Sequence, residues 1–97
     1  MYAVIFKAKA GVQDSQYSQM VELMRELAFS QYQCQDFIAV TEGDQEIAIS
    51  YWDSEEDIRR WHADSQHALA QRFGRKKWYR SYVVEVVKIE RRYAFGG

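Results

Sequence analysis

Hydrophobic and polar residues recur at two spacings along this chain, and the spacings predict six elements in the order β-α-β-β-α-β. Short, apolar, β-favouring segments lie at residues 2–8, 37–42, 46–52 and 82–89, and the last reaches residue 93 at its longest. Between the first two segments, apolar residues at spacings of three and four predict an amphipathic helix of roughly 15 residues. A second apolar stripe, from Ile58 to Leu69, predicts another helix, with an interruption near Asp64.

Capping and turn residues support these boundaries. Asp14 or Ser15 precedes the first helix and can accept a backbone N–H bond, and Ser54 with Asp57 resembles a capping box before the second. Gly43 lies between two acidic residues and predicts a hairpin turn, because glycine adopts positive φ without steric cost. The order is typical of an α+β, ferredoxin-like fold, in which an antiparallel four-stranded sheet carries two helices on one face.

Both faces of the predicted sheet are apolar. In the first strand, Tyr2, Val4 and Phe6 alternate with Ala3 and Ile5, and the other three strands repeat this pattern. Two helices can cover one face, and an exposed apolar sheet of this size would promote aggregation. The simplest cover is a second copy related by a two-fold axis. We therefore predict a homodimer whose sheets pack face to face into an α+β barrel.

Composition limits the chain to one small domain, residues 1–97, with a large apolar content. Of its 97 residues 47% are hydrophobic, with 3 Trp, 7 Tyr and 5 Phe. The single cysteine, Cys34, excludes an internal disulfide and a multi-cysteine zinc site, and we interpret it as a buried thiol. No apolar run approaches the roughly 18 residues that span a bilayer, and no basic region precedes the first apolar stretch. We expect a cytoplasmic protein with no membrane association.

Charge is unevenly distributed, although the net charge is only −1. Residues 1–50 carry three basic and seven acidic side chains, whereas residues 51–97 carry ten and seven. Much of the positive excess lies between residues 72 and 80, at Arg72, Arg75, Lys76, Lys77 and Arg80. This segment is either a solvated helix end or an anion-binding patch, and the overall charge makes nucleic acid an unlikely partner.

The sequence lacks the common catalytic motifs. It has no glycine-rich phosphate loop, no GxSxG elbow and no paired cysteines. His62 and His67 are five residues apart, an awkward spacing on a helix, and a metal would need a third ligand such as Asp64, so we expect no metal site. His67 is interpreted either as a helix-surface or pocket-lining residue or as one with a chemical role.

An aromatic cluster is the remaining candidate site. Trp52 ends the third strand, Trp61 lies on the second helix, and Trp78 precedes the fourth strand. Ser50 shares a strand face with Trp52, and its small side chain would leave space beside the indole. Each tryptophan is either core or the wall of a pocket between sheet and second helix. Such a pocket would suit a flat hydrophobic ligand such as a polycyclic phenol, a quinol or a porphyrin.

The second half of the chain resembles the antibiotic biosynthesis monooxygenase family, whose members are dimeric α+β barrel proteins. The resemblance is specific over residues 51–95 and looks like a mostly uncharacterised bacterial branch. It is carried by the run Tyr51-Trp52-Asp53-Ser54-Glu55-Glu56, by Ile58, Trp61 and Ser65-Gln66-His67, and by Ala70-Gln71, Gly74-Arg75, Trp78-Tyr79, Tyr82, Val87, Glu90-Arg91 and Tyr93-Ala94-Phe95.

The resemblance implies a cofactor-independent monooxygenase that acts on a small aromatic, phenolic or quinol-like molecule. In such enzymes the substrate's own phenolate activates O₂, and the protein supplies an aromatic pocket. On this basis we expect Trp52 and Trp61 to orient the substrate, His67 to transfer a proton, and Lys7 or Arg75 to stabilise an anion. Ser50, Gln71 and Trp78 complete the predicted substrate-binding set. The alternative is a non-catalytic dimeric module that binds a small molecule or haem.

A related branch of the family degrades haem with an asparagine on the first strand, a tryptophan ending the third strand and a histidine ligand on the second helix. The tryptophan matches Trp52. Lys7 stands at the asparagine position and Gln71 at or near the histidine position. Two of the three residues are therefore replaced, which disfavours haem unless His67 binds the iron. We expect no cofactor.

Overall fold

The computed structural model describes residues 1–71 and 77–97, with the side chains of residues 69–71 left aside. The elements are β1 (Tyr2–Ala10), α1 (Ser15–Ser30), β2 (Asp36–Glu42), β3 (Gln45–Trp52), α2 (Glu55–Gln71) and β4 (Tyr79–Lys88). The predicted β-α-β-β-α-β order is confirmed.

The four strands form one antiparallel sheet in the order β2-β3-β1-β4. The long central strand β1 pairs with β3 through Val4 and Ser50 and with β4 through Val4 and Val86. Both helices pack on the sheet face that carries Val4 and Trp52. The ferredoxin-like fold with two helices on one face is therefore confirmed.

Local side-chain bonds begin the helices where the sequence predicts. Asp14 Oδ1 accepts the backbone N–H of Tyr17 at 3.1 Å, and Ser54 Oγ accepts that of Asp57 at 3.4 Å. Gly43 turns the β2–β3 hairpin with φ of 62°. The predicted caps and hairpin turn are confirmed.

Four predictions about the limits of the elements are wrong. Helix α2 runs without a break through residues 64 and 65, and the Ser65 hydroxyl donates to the Trp61 carbonyl oxygen one turn earlier, at 2.9 Å, so its polar side chain is accommodated within the helix. Strand β1 continues to Ala10, and β4 begins at Tyr79, because a shift in register after Lys9 brings Ala10 opposite Tyr79. Strand β4 ends at residue 88 and does not extend to residue 93.

The core under the helices has two clusters of buried side chains. One surrounds Trp52 and includes Val4, Ala28 and Ile58, so it joins both helices to the centre of the sheet. The other surrounds Trp78 and comprises Ala8, Met20, Met24 and Tyr79. Trp52 and Trp78 are the two largest side chains that are fully buried.

The other face of the sheet is apolar and has no cover within the described chain. Ile38 and Val40 on β2 and Val83 and Val87 on β4 are each at least 40% exposed. Their strand positions alternate with those that meet the helices, as the sequence predicts. We call this surface, with Ile5, Ile47, Ile49 and Tyr51, the open face. None of the helices in the described chain is long and apolar enough to cross a membrane.

We predict that Gly11→Ala destabilises the fold by about 1–3 kcal/mol because the added methyl group overpacks a tight contact. Gly11 donates its N–H to the Trp78 carbonyl at 2.7 Å, and a Cβ there would meet the Lys77 carbonyl oxygen at 2.5 Å. Chemical denaturation measures the free energy of unfolding. Gly43→Asn is the control, since nothing lies within 4 Å of Gly43 and asparagine tolerates its positive φ. Equal stability of Gly11→Ala and the unmodified protein would contradict the prediction.

Candidate functional site

A cavity of about 390 Å³ lies between the helix-covered face of the sheet and the two helices. Its volume is within the range of small-molecule sites in proteins. Its walls are mainly apolar and include aromatic rings from β1, β2, α2 and β4. Among the lining residues are Phe6, Met20, Met24, Phe37, Trp61 and Tyr79.

Trp61 joins the two helices beside this cavity. Its indole N–H donates to the Met24 carbonyl oxygen on α1 at 2.8 Å. Its ring packs against Trp52, with centroids 5.4 Å apart, and against the edge of Phe37 at 6.2 Å. The bond satisfies the polar atom of a large apolar side chain, so the indole can form part of an apolar wall at little desolvation cost.

One end of the cavity is polar, and we call its four residues the Glu46 cluster. The Glu46 carboxylate accepts the Gln13 side-chain amide at 2.7 Å on Oε1 and the Tyr17 hydroxyl at 2.9 Å on Oε2. The Tyr79 hydroxyl lies 3.5 Å from that of Tyr17 and donates to it. Gln13, Tyr17, Glu46 and Tyr79 all line the cavity. The hydrogen bonds of this cluster therefore all run to the Glu46 carboxylate, either directly or through Tyr17.

Burial raises the pKa of both tyrosines in the cluster. It raises the pKa of Tyr17 far above the ordinary value of 10.0, and the contacts with Tyr79 and Glu46 raise it further. Burial also raises the pKa of Tyr79 to about 12, although its bond to Tyr17 opposes the change. Both phenols are therefore protonated at neutral pH, and Tyr17 stays a hydrogen-bond donor to Glu46.

The opposite end of the cavity carries His62 and Arg25. His62 is half-buried and lines the cavity next to Trp61 on α2. The Arg25 guanidinium lies 5.2 Å from the Phe37 ring centroid and donates to the Phe37 carbonyl at 3.1 Å. Phe37 pairs with Ser50, which lies four residues, or about 13 Å of strand, along β3 from Glu46.

Of the predicted tryptophans, Trp61 lines the cavity and Trp52 does not. Trp52 is fully buried in the core and donates its indole N–H to Ser50 Oγ at 2.8 Å. Ser50 is itself buried and lines the cavity. Trp52 thus supports the cavity through Ser50 and Trp61 without facing it. The role predicted for Trp52 as a substrate contact has no geometric support here.

Other predicted residues lie away from the cavity. Lys7 projects from the open face, on the opposite side of the sheet, and pairs with Glu85 at 3.4 Å. Trp78 is buried in the core beside Tyr17 and donates to Asp14 at 3.2 Å. His67 is exposed on α2 and is absent from the lining. The Gln71 side chain and all of Arg75 lie outside the described residues.

Sequence reasoning missed the polar residues of the cavity. Glu46 shares its strand phase with Ala48, Ser50 and Trp52, so an acidic residue on the predicted core side of β3 was the available signal. His62 was considered only as a metal ligand. Tyr17 lies three residues before Met20 and so continues the apolar spacing of α1, and this spacing does not indicate that its hydroxyl meets a strand residue 29 positions away.

Two of the residues that the resemblance placed at a haem site do not lie at the cavity. His67, named as a possible iron ligand, lies on the exposed side of α2. Lys7, at the asparagine position, lies on the other face of the sheet. No step of the function proposed below therefore passes through haem. Within the described residues, no three His, Cys, Asp or Glu side chains form a candidate metal site.

Two further sequence features have plain structural roles where they are described. Burial raises the pKa of the Cys34 thiol, and its sulfur contacts the Asp36 carbonyl oxygen at 3.2 Å, as expected for an unreactive thiol.

In the basic segment, Lys77 pairs with Asp14 at 2.6 Å and Arg80 pairs with Asp44. The remaining basic residues of that segment, Arg72, Arg75 and Lys76, lie outside the described residues.

The chain is similar to known proteins in sequence and in fold. It is 38% identical over 95 residues to the uncharacterized protein YqjZ of Bacillus subtilis, covering 97% of this chain and 83% of YqjZ. Its fold matches SnoaB, a cofactor-independent oxygenase of Streptomyces nogalater, with a TM-score of 0.71, 10% identity and 94% of each chain covered. A solved antibiotic biosynthesis monooxygenase matches with a TM-score of 0.59 at 14% identity, over 92% of this chain and 98% of that one. No family model matches.

The buried Tyr79 phenol predicts a loss of stability at alkaline pH. Its pKa in the folded protein is about 12 against an ordinary 10.0, so the folded state holds the proton more tightly, and stability falls as pH rises through that window. We expect Tyr79→Phe to reduce this fall in the free energy of unfolding by on the order of 2 kcal/mol. Denaturation at several pH values measures it.

The matched control is Tyr93→Phe, because Tyr93 is 86% exposed. This variant is expected to follow the unmodified protein at every pH. A Tyr79→Phe curve that also superimposes on that of the unmodified protein would show that the phenol titrates normally.

Proposed function

Because the chain belongs to the same family as YqjZ and has the fold of the antibiotic biosynthesis monooxygenases, we propose that it is a cofactor-independent monooxygenase. Its substrate would be a small aromatic, phenolic or quinol-like molecule bound in the cavity between sheet and helices. The observation that carries the proposal is the cavity itself, which combines mainly apolar, aromatic walls with few polar groups. SnoaB, a cofactor-independent oxygenase, has this fold.

The proposed reaction draws its reducing power from the substrate. Loss of the phenolic proton gives an electron-rich phenolate, which reduces O₂. One oxygen atom enters the ring system as a carbonyl, and the other leaves as water together with the two hydrogens removed when the phenol becomes a quinone. The protein's contribution is to orient the ring, exclude water and accept the phenolic proton.

Two cavity residues are assigned to these tasks. Trp61 provides a flat surface against which an aromatic ring can stack, and its bond to Met24 holds that surface in place. His62 lines the cavity next to it, and imidazole is the ordinary proton acceptor near pH 7. We therefore propose His62, rather than the exposed His67, as the general base.

We predict that His62→Asn lowers the rate of O₂ consumption by about 100-fold or more, the usual contribution of a general base. The measurement is oxygen uptake by the purified protein with a panel of polycyclic phenols and quinols. His67→Asn is the matched control, because it removes the same group five residues along the same helix, and it should keep the full rate. Loss of activity in His67→Asn alone would instead support the assignment made from sequence.

A non-catalytic binding module remains the competing function, and the same assay separates the two. A binding module would retain a phenol stoichiometrically, with unchanged mass and no oxygen uptake above that of Trp61→Ala. That result would reject the monooxygenase proposal while keeping the cavity as a ligand site.

We also propose that the protein is a homodimer joined through the open face. Half-exposed apolar side chains such as Ile38 and Val40 cover this face, whereas the helices bury the other. A two-fold axis would bring each apolar strand against the equivalent surface of a second copy. Burial of both surfaces would supply the hydrophobic free energy that one small domain lacks.

We predict that Ile38→Asp converts the dimer to a monomer, because the substitution places two charges in an apolar interface, one from each copy. Ile38 is 50% exposed in the single chain, so its own fold should tolerate the change. Sedimentation velocity gives the mass. Leu23→Asp, at a 43% exposed position on α1, is the control and should stay dimeric. A monomeric unmodified protein would refute the proposal.

A further inference from the structure

Glu46 presents a carboxylate to a mainly apolar cavity. Among the side chains that the structure describes, no lysine, arginine or histidine forms an ion pair with it. The nearby acid Asp44, by contrast, contacts both Lys9 and Arg80. A carboxylate facing an apolar space keeps a strong preference for a donor or a positive charge, because water screens it less there than at the surface.

The hydrogen bonds of Glu46 leave room for a ligand. A carboxylate has about four acceptor positions on its two oxygens. Gln13 occupies one position on Oε1 and Tyr17 one on Oε2. The two remaining positions are available to a donor in the cavity, which Glu46 lines.

The rest of the cluster keeps Glu46 an acceptor. Tyr79 donates to Tyr17, and Tyr17 donates to Glu46, so both hydrogens point along the chain towards the carboxylate. Tyr17 therefore meets Glu46 as a donor, which leaves the carboxylate the acceptor of this pair. An anionic group placed here would meet a like charge, and none of the cations that the structure describes is paired with Glu46.

We propose that Glu46 is the specificity-determining residue of the cavity. It binds a hydroxyl or ammonium group on a flat, fused-ring ligand and rejects a ligand that carries a carboxylate at this end. This inference rests on the proposed ligand site. It specifies the chemical group at the end of the ligand that lies away from His62. Trp61, the neighbour of His62, packs against Phe37, and Phe37 pairs with Ser50 about 13 Å along β3 from Glu46, so we place the group held by Glu46 apart from the phenol that reacts.

In this arrangement the substrate carries an oxygen- or nitrogen-containing group at each of its two ends. The anchoring hydroxyl or amine contacts Glu46, the ring system lies against Phe6 and Trp61, and the reacting phenol reaches the His62 end. Binding energy gained at the remote end would then orient the reacting carbon. A phenol without the second polar group would bind in either direction.

The test uses three probes with one ring system and different head groups: 2-naphthylmethylammonium, 2-naphthol and 2-naphthoate. Isothermal titration calorimetry with the unmodified protein should give at least tenfold tighter binding of the ammonium probe than of naphthoate, with naphthol between them. In Glu46→Gln, which keeps the shape and removes the charge, the ratio of ammonium to naphthoate affinity should fall at least tenfold. Glu42→Gln, an exposed acid on the adjacent strand, should leave the ratio unchanged.

The outcomes separate this inference from the proposed function. If all three probes bind and Glu46→Gln keeps the original order, the cavity is a ligand site and Glu46 does not determine its specificity. If none binds the unmodified protein, the ligand cavity is wrong, and this inference with it.

A second variant covers the case in which Glu46→Gln does not fold, as judged by circular dichroism. Glu46→Asp keeps the charge but shortens the side chain by one methylene group. The variant should bind the ammonium probe severalfold more weakly than the unmodified protein does, and the order of affinity of the three probes should stay the same. An affinity equal to that of the unmodified protein would overturn the inference.

Discussion

Side chains on a strand alternate between the two faces of a sheet, and in this protein both faces are apolar. The two helices of the chain cover only one of them. The rest of the structure depends on that mismatch. The helices cover the face that carries Val4 and Trp52 and enclose a cavity there. The other face keeps Ile38 and Val40 exposed. The large apolar content of a 97-residue chain is thus divided between a core, a ligand-sized cavity and a surface suited to a second copy.

The cavity exists because bulky aromatic side chains hold the helices against the sheet without filling the space between them. Trp61 bridges α2 to the Met24 carbonyl on α1 and rests on Trp52. The indole of Trp52 is satisfied by Ser50, which leaves only a small side chain facing the cavity. These polar bonds of the two indoles fix their orientations, so an apolar wall has a defined shape. Trp52 is therefore a supporting residue, one layer behind the surface that a ligand would touch.

The polarity of the cavity has a different origin from its shape. Gln13, from the loop before α1, and Tyr17, on its first turn, meet Glu46 at the start of β3, and Tyr79 joins them from the start of β4. Three chain segments must come together before this cluster exists. Burial raises the pKa of both phenols, and the carboxylate is the acceptor at the end of the chain of bonds. This end of the cavity is therefore the basis of the charge selectivity proposed above.

Local patterns in the sequence determined the order of elements, the caps at Asp14 and Ser54 and the alternation that leaves one sheet face open, because these depend on spacing and on neighbours a few residues away. The start of β4 was harder to predict from the sequence, because it depends on a change of register in the pairing of β4 with β1. Which aromatic residue faces the cavity was decided only by tertiary structure. So was the choice between His62 and His67, which lie five residues apart on one helix. Only the packing of that helix against the sheet turns one towards the cavity and the other towards solvent.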